Sequence, residues 1–332
     1  MKVAFLTAQQ FLVAVTSCAL FFLLLGFADA QPQEKVPKIG WLSLTDRANS
    51  GQKTIIRMLG DAGYRDGQNI AFEFRYANNK LDRLPLLAHE LVHSKVDVLV
   101  TPGTPGAIAL KNATKTIPIV FLDVTDPVAA GLVDSLARPG GNITGFSSIE
   151  AVLAGKRLEL LREAIPKITR IAVLWNPRDP SSAQQWKASQ LAARDLGLQL
   201  YSIEVTSADQ LENKFREATQ IHSSGIFVVS NALASSNQKR ITDLAAKYRL
   251  PAIYAQASFG ESGGLMAYGP DQSERYRRVA VLIDKILKGI KPSDIPVEQP
   301  TKFELIINLT AAQQIGLIIP PNVLARADRV IR

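Results

Sequence analysis

The sequence predicts an α/β protein built as two doubly wound parallel-sheet lobes joined by several hinge segments. Two observations carry that expectation. Short β-branched runs alternate with amphipathic stretches along most of the 332 residues, the pattern of parallel strands joined by crossover helices. Strand starts at 38, 69, 96 and 117 are then matched at 168, 198, 225 and 251, an offset of about 130 residues with no obvious residue identity between the halves. The repeat is therefore one of architecture.

In chain order, the first set of strands is predicted at Lys38–Leu44, Asn69–Tyr76, Val96–Thr101, Ile117–Leu122 and Asn142–Phe146. The second set is Ile168–Trp175, Leu198–Val205, Gly225–Ser230, Pro251–Ala255 and Gly264–Tyr268. Continuous apolar runs such as DVLV, IPIVFL, RIAVLW and GIFVV suit a parallel sheet covered on both faces. Trp41 and Trp175 lie inside strands and read as core. The helices show the matching period: Leu211, Phe215, Ala218 and Ile221 form one stripe, with Glu212, Lys214, Arg216 and Glu217 elsewhere. After the second set come a helix from Asp271 to Lys288, the extended stretch KPSDIPVEQP, a strand FELIINL and a last helix ending in ADRVI. These segments most simply return to the two lobes. We assign 36–147 plus 271–299 to the first lobe and 148–270 plus 300–332 to the second. Hinges are expected near Ser147–Ala151, Tyr268–Gln272 and Gln299–Phe303.

The chain opens with Met1-Lys2, an uncharged run FLVAVTSCALFFLLLGF, and Ala28-Asp29-Ala30. A basic start, an apolar core and small residues at the cut site make residues 1–30 a secretory signal peptide, cleaved after Ala30 into the periplasm. Val15-Thr16-Ser17-Cys18 resembles a lipobox, but the residues after Cys18 stay apolar where a lipoprotein turns polar. Cys18 is the only cysteine. The mature chain thus has no disulfide, thiol nucleophile or thiolate metal site. Net charge is +8, and the bases are mixed with acids except at Arg275, Arg277 and Arg278. No basic stripe interleaved with aromatics signals a nucleic-acid partner. The charge reads as solubility, or as attraction to an anionic membrane surface.

Three motifs invite chemistry. His89-Glu90-Leu91-Val92-His93 has the H-E-x-x-H form of zinc proteases. Leu84, Leu87, Ala88 and Leu91 define its buried face, so both histidines are expected in solvent with no third ligand. Gly260-Glu261-Ser262-Gly263-Gly264 fits G-x-S-x-G, yet a strand follows where a nucleophile elbow needs a helix. No G-x-G-x-x-G follows a strand, and no cofactor or metal is expected. The loop Thr101-Pro102-Gly103-Thr104-Pro105-Gly106 lies between a strand and a helix, with Thr104 as cap and Pro105 at the first helical position. Amides at such a helix start, together with Gly103 and Thr104, suit a carboxylate. Capping alone satisfies the same residues.

Other strand ends supply the remaining ligand-binding candidates. They are Ser43, Asp123 and Asp126 in the first half, and Asn176, Asn231, Tyr254 and Tyr268 in the second. Asp123 or Asp126 would pair with an amine, though Asp126 before Pro127 also suits a cap. Asn231 would bond an amine or hydroxyl, or serve a turn. The tyrosines would line a ring, or belong to the core.

The segments IPIVFLDVTDPVAAGLVDSLARPGGNITGFS, LAAKYRLPAIYAQASFGESGGLMAYGP and ILKGIKPSDIPVEQPTKFELIINLTAAQQIGLIIPPNVLARADRVI resemble the ABC-transporter substrate-binding family, whose better-understood members bind aromatic amino acids. The resemblance implies the type I periplasmic binding protein fold. It also implies capture of a small solute and delivery to a membrane permease and its ATPase; no residue is asked to do covalent chemistry, and a monomer is expected. A sensory ligand-binder of the same fold and an exported zinc or serine hydrolase are the competing readings.

Overall fold

The computed structural model describes residues 35–48 and 50–332; the signal-peptide reading and Cys18 lie outside the described residues. The first lobe alternates β1 (Lys38–Ser43), α1 (Ser50–Asp61), β2 (Ala71–Tyr76), α2 (Leu84–His93), β3 (Val98–Pro102), α3 (Thr104–Ala113), β4 (Ile119–Val124) and β5 (Ile143–Ser147). Its sheet is parallel throughout, in the order β2-β1-β3-β4-β5. The second lobe contains α4 (Glu150–Ala164), β6 (Arg170–Trp175), α5 (Pro180–Leu196), β7 (Gln199–Glu204), α6 (Leu211–Gln220) and β8 (Gly225–Val228). It continues with α7 (Ala232–Ser236), α8 (Gln238–Lys247), β9 (Ala252–Tyr254), α9 (Ser258–Glu261) and β10 (Met266–Pro270).

The chain then returns. The helix α10 (Gln272–Leu287) covers the first sheet, burying Val279, Leu282 and Ile283 in one cluster with Trp41, Val98 and Leu122. The strand β11 (Phe303–Asn308) pairs antiparallel with β10 in the second sheet. Two short helices, α11 (Leu309–Ile315) and α12 (Pro321–Leu324), lead to β12 (Arg329–Ile331). The second sheet thus has the order β12-β11-β10-β9-β8-β6-β7.

The end of the chain differs from expectation. ADRVI does not close a helix: its last residues form the edge strand β12, parallel to β11. Asp328 fixes the register, since its carboxylate accepts from the Leu305 amide at 2.7 Å and its own amide donates to the Leu305 carbonyl at 2.9 Å. With β-branched Val330 and Ile331 behind it, extended backbone wins over helix.

The crossings run side by side. The Ser147 amide donates to Glu298 O at 2.8 Å, Glu298 donates to Gly145 O at 2.9 Å, and Asp271 donates to Lys302 O at 3.0 Å. Each sheet is buried on both faces, which explains the uninterrupted apolar runs. Trp41 packs under the first sheet. Trp175 stacks on Trp186 at 5.6 Å and donates from its indole to Ser202 Oγ at 2.8 Å. Beside the first crossing, β5 approaches β4 so closely that a Cβ on Gly145 would lie 2.1 Å from the Phe121 carbonyl oxygen. Gly145→Ala is therefore expected to destabilise by about 3 kcal/mol, read as a lower urea midpoint at unchanged slope.

Candidate functional site: a polar cleft between the lobes

Each sheet reverses its strand order once, between β1 and β3 in the first lobe and between β6 and β8 in the second. In such sheets, loops after the flanking strands diverge and leave a crevice at the carboxyl ends. The two crevices face one another across a cleft of about 490 Å³. The lobes meet at its edge, where the hydroxyls of Thr125 and Ser181 share a hydrogen bond.

From the first lobe, Ser43, Gly103, Thr104 and Asp123 line this cleft. Ser43 is nearly buried and its hydroxyl lies 2.8 Å from that of Thr45. The TPGTPG loop differs from its expected geometry. Gly103, at φ 80°, is the N-cap, and Thr104 is already helical with no side-chain capping bond. The positive φ suits glycine, and it leaves Thr104 fully buried with Oγ1 accepting from the Thr125 amide at 3.3 Å. The Gly103 amide is spent on Leu122 O at 2.8 Å, and Pro105 has no N–H. The anion-binding capacity of this helix start is thus smaller than the sequence suggests.

Asp123 sits where the β4–β5 register slips, at φ 59°. A bulge of this kind re-aims the side chain at a strand end. It directs the carboxylate to Arg275 of α10, which pairs with it. Arg275 also donates to Tyr276 Oη at 2.8 Å, with its guanidinium 4.6 Å from that ring's centroid. Burial alone works against the Arg275 charge, but Asp123 and Tyr276 outweigh it and hold the group above the ordinary arginine range. The basic run at 275–278 therefore divides: Arg275 is a cleft residue, while Arg278 pairs with Glu298 and Arg277 faces solvent.

From the second lobe, Asn231 lines the cleft with Ser230, Ser235, Gln238 and Gln256. Asn231 caps α7 through Oδ1, which accepts from the Ala234 amide at 2.8 Å, and its amide nitrogen reaches Ser182 Oγ at 3.1 Å. Neutral groups link the rest of the wall. Gln256 donates to Ser230 Oγ at 3.2 Å and accepts from Ser235 Oγ at 3.2 Å, while Gln238 donates to Ser258 Oγ at 2.9 Å. Asp179 also faces the cleft, 3% exposed. It caps α5, accepting from the Ser181 amide at 2.8 Å. Burial pushes its carboxyl up to about 6, against the opposing pull of the Ser181 and Ser182 amides.

Four expected ligand contacts are absent from the lining of this cleft. Asp126 caps its own turn, accepting from the Val128 amide at 3.2 Å and the Ala129 amide at 2.9 Å. Asn176 belongs to a separate interlobe gap of about 470 Å³ beside Arg178 and Lys80. Tyr254 is fully buried, stacked on Phe259 at 4.5 Å. Tyr268 packs into the second-lobe core near Phe303. Sequence reasoning missed Asp179, Gln256 and Arg275. The Asp179-Pro180 step was a usable signal, because Asp before Pro opens helices at strand ends. The basic run marks Arg275, but nothing local places it at the cleft, which it enters from a helix reached only after the second crossing.

Neither motif with catalytic form is among the residues that line the cleft. Glu90 pairs with Arg75 at 2.7 Å, and His93 Nδ1 lies 2.8 Å from the His89 carbonyl. Ser262 follows the short helix α9 and donates to Ser258 O at 3.0 Å.

The family model of ABC transporter substrate binding proteins matches residues 45–331. The chain belongs to that family. A tyrosine-binding protein of Clostridioides difficile strain R20291 is 30% identical over 277 residues, covering 83% of this chain and 79% of the relative. Among solved structures, the Streptococcus pneumonia ABC domain in complex with L-Trp superposes with a TM-score of 0.80 at 27% identity, over 89% of this chain and 99% of that one. A ligand-free, open substrate-binding protein from Clostridium difficile gives 0.63 at 28% identity, over the same shares. The fold is that of type I periplasmic binding proteins, and the family's role is solute capture for ABC transport. No helix among the described residues is long and apolar enough to cross a membrane.

Proposed function

We propose that this chain is the periplasmic, monomeric receptor of an ABC uptake system, exported with cleavage after Ala30, and that it carries an amino acid to a permease without chemical change. The observation that carries this reading is the polar cleft at the facing switch points of both sheets. Any solute held there touches both lobes, so it favours the closed arrangement by its differential contacts. The described arrangement is read as the closed one: the Thr125–Ser181 contact bridges the lobes. The higher TM-score to the L-Trp complex than to the open, ligand-free relative supports this. The relatives favour an amino acid, and an aromatic one first.

The test is a thermal-shift screen of the mature protein against the twenty common amino acids, followed by calorimetry. At a hundredfold excess over Kd, a true ligand adds about 2.7 kcal/mol of stability. At least one amino acid is expected to raise Tm by several degrees; none doing so would refute the ligand class.

A further inference from the structure

The cleft carries an unbalanced charge. Three groups line its inner walls with full charges: Asp123, Arg275 and Asp179. The first two cancel, as a buried ion pair on the first lobe. Lys239, nearer the mouth, is exposed and pairs with Asp243. Asp179 is left, 3% exposed, with no cation in ion-pair reach among the described residues. Backbone amides at the start of α5 hold its oxygens. Burial pushes its carboxyl up to about 6 even against those amides. A buried carboxylate in this situation gains most from a cation brought by a ligand.

Its position gives that gain a mechanical consequence. Asp179 is two residues from Ser181, whose hydroxyl meets Thr125 of the opposite lobe. Asn231, on the neighbouring loop, bonds Ser182. A cation at Asp179 therefore sits where the lobes touch. The sequence pointed instead to Asp123 or Asp126 for an amine. Asp126 is committed to its turn, and Asp123 to Arg275.

We propose that the cleft selects solutes bearing a cationic nitrogen and that Asp179 is the residue that holds it, making this the specificity-determining charge of the site. The proposal deepens the amino-acid reading above and rests on it. It makes the ammonium group indispensable and leaves the rest of the solute to the neutral Ser230–Gln256–Ser235 wall.

The experiment takes each amino acid that binds in the screen, with its decarboxylated primary amine and its des-amino acid, and titrates all three into the wild-type protein and D179N at pH 7.5. Asn caps helices as well as Asp, so D179N keeps the start of α5 and removes only the charge. An unchanged or higher ligand-free Tm verifies its fold. Expected are binding of the amino acid and its amine, loss of binding by the des-amino acid, and an affinity at least about 30-fold weaker in D179N. D179N binding within about threefold of wild type, or a des-amino acid binding as well as its parent, overturns the role of Asp179 while leaving solute capture intact. Failure of every amino acid to bind overturns the amino-acid reading and this proposal together.

Discussion

Arg157→Met is expected to destabilise the protein by about 3–5 kcal/mol. Arg157 is fully buried in the second lobe. Its guanidinium pairs with Glu150 at 2.6 Å and donates to Tyr268 O at 2.8 Å and Glu150 O at 3.3 Å. One side chain thereby ties the first residue of α4 to β10, beside two of the three crossings between the lobes. The cost follows from what remains. Burial already raises the Glu150 carboxyl, and Arg157 is the main opposing influence. Without it, Glu150 is either an unpaired buried charge or a buried acid that must take up a proton. The companion Glu150→Leu, Arg157→Met double variant removes both charges and is expected to recover much of the loss, since apolar replacement of a whole buried pair is often neutral. Urea unfolding of both single variants and the double one gives the coupling directly. Equal, additive losses would show that the pair is not the organising contact.

The second large effect is a pH dependence. The Asp179 carboxyl stands at about 6 against an ordinary 3.8. The folded state therefore holds this proton more tightly than the unfolded state. Stability from this group is complete below about pH 4, falls as pH rises through about 6, where the buried carboxyl is half ionised, and levels off only about one unit higher. The cost above that pH is about 3 kcal/mol. D179N never ionises. Measured without ligand, its stability relative to wild type should rise by that amount between pH 4 and pH 7. Parallel pH profiles for the two proteins would show that Asp179 titrates normally. A bound ammonium reverses the sign, since it favours the ionised form, so ligand affinity should fall as pH drops through 6.

Much of this architecture is legible in the sequence, because both sheets are covered on both faces. Runs such as IAVLW after Arg170 carry no polar interruption and announce parallel strands. The end of the chain is less legible. Val330 and Ile331 pair on a sheet edge through the Asp328 contact, which nothing in local periodicity reveals. The site divides in the same way. Ser43, Gly103, Thr104, Asp123 and Asn231 are found at the cleft because topology alone places strand ends there. Tyr254 is also at a strand end, yet a tight fit decides its orientation: a Cβ on Gly264 would lie 2.6 Å from its ring. Asp126 lies only three residues beyond Asp123, but the φ of 59° at Asp123 turns the chain away. Arg275 is the least legible residue, because its partner Asp123 is 152 positions away.

A cleft walled by both lobes requires that they close on the solute. Small-angle X-ray scattering of the mature protein, ligand-free and saturated with the amino acid found by screening, tests it most directly. The hinge segments at 147–150, 270–272 and 298–303 are the places where the chain crosses, and rotation there changes overall dimensions without unfolding either sheet. The radius of gyration is predicted to fall on saturation, to the value calculated for the lobe arrangement described here. An unchanged radius at saturation would contradict it.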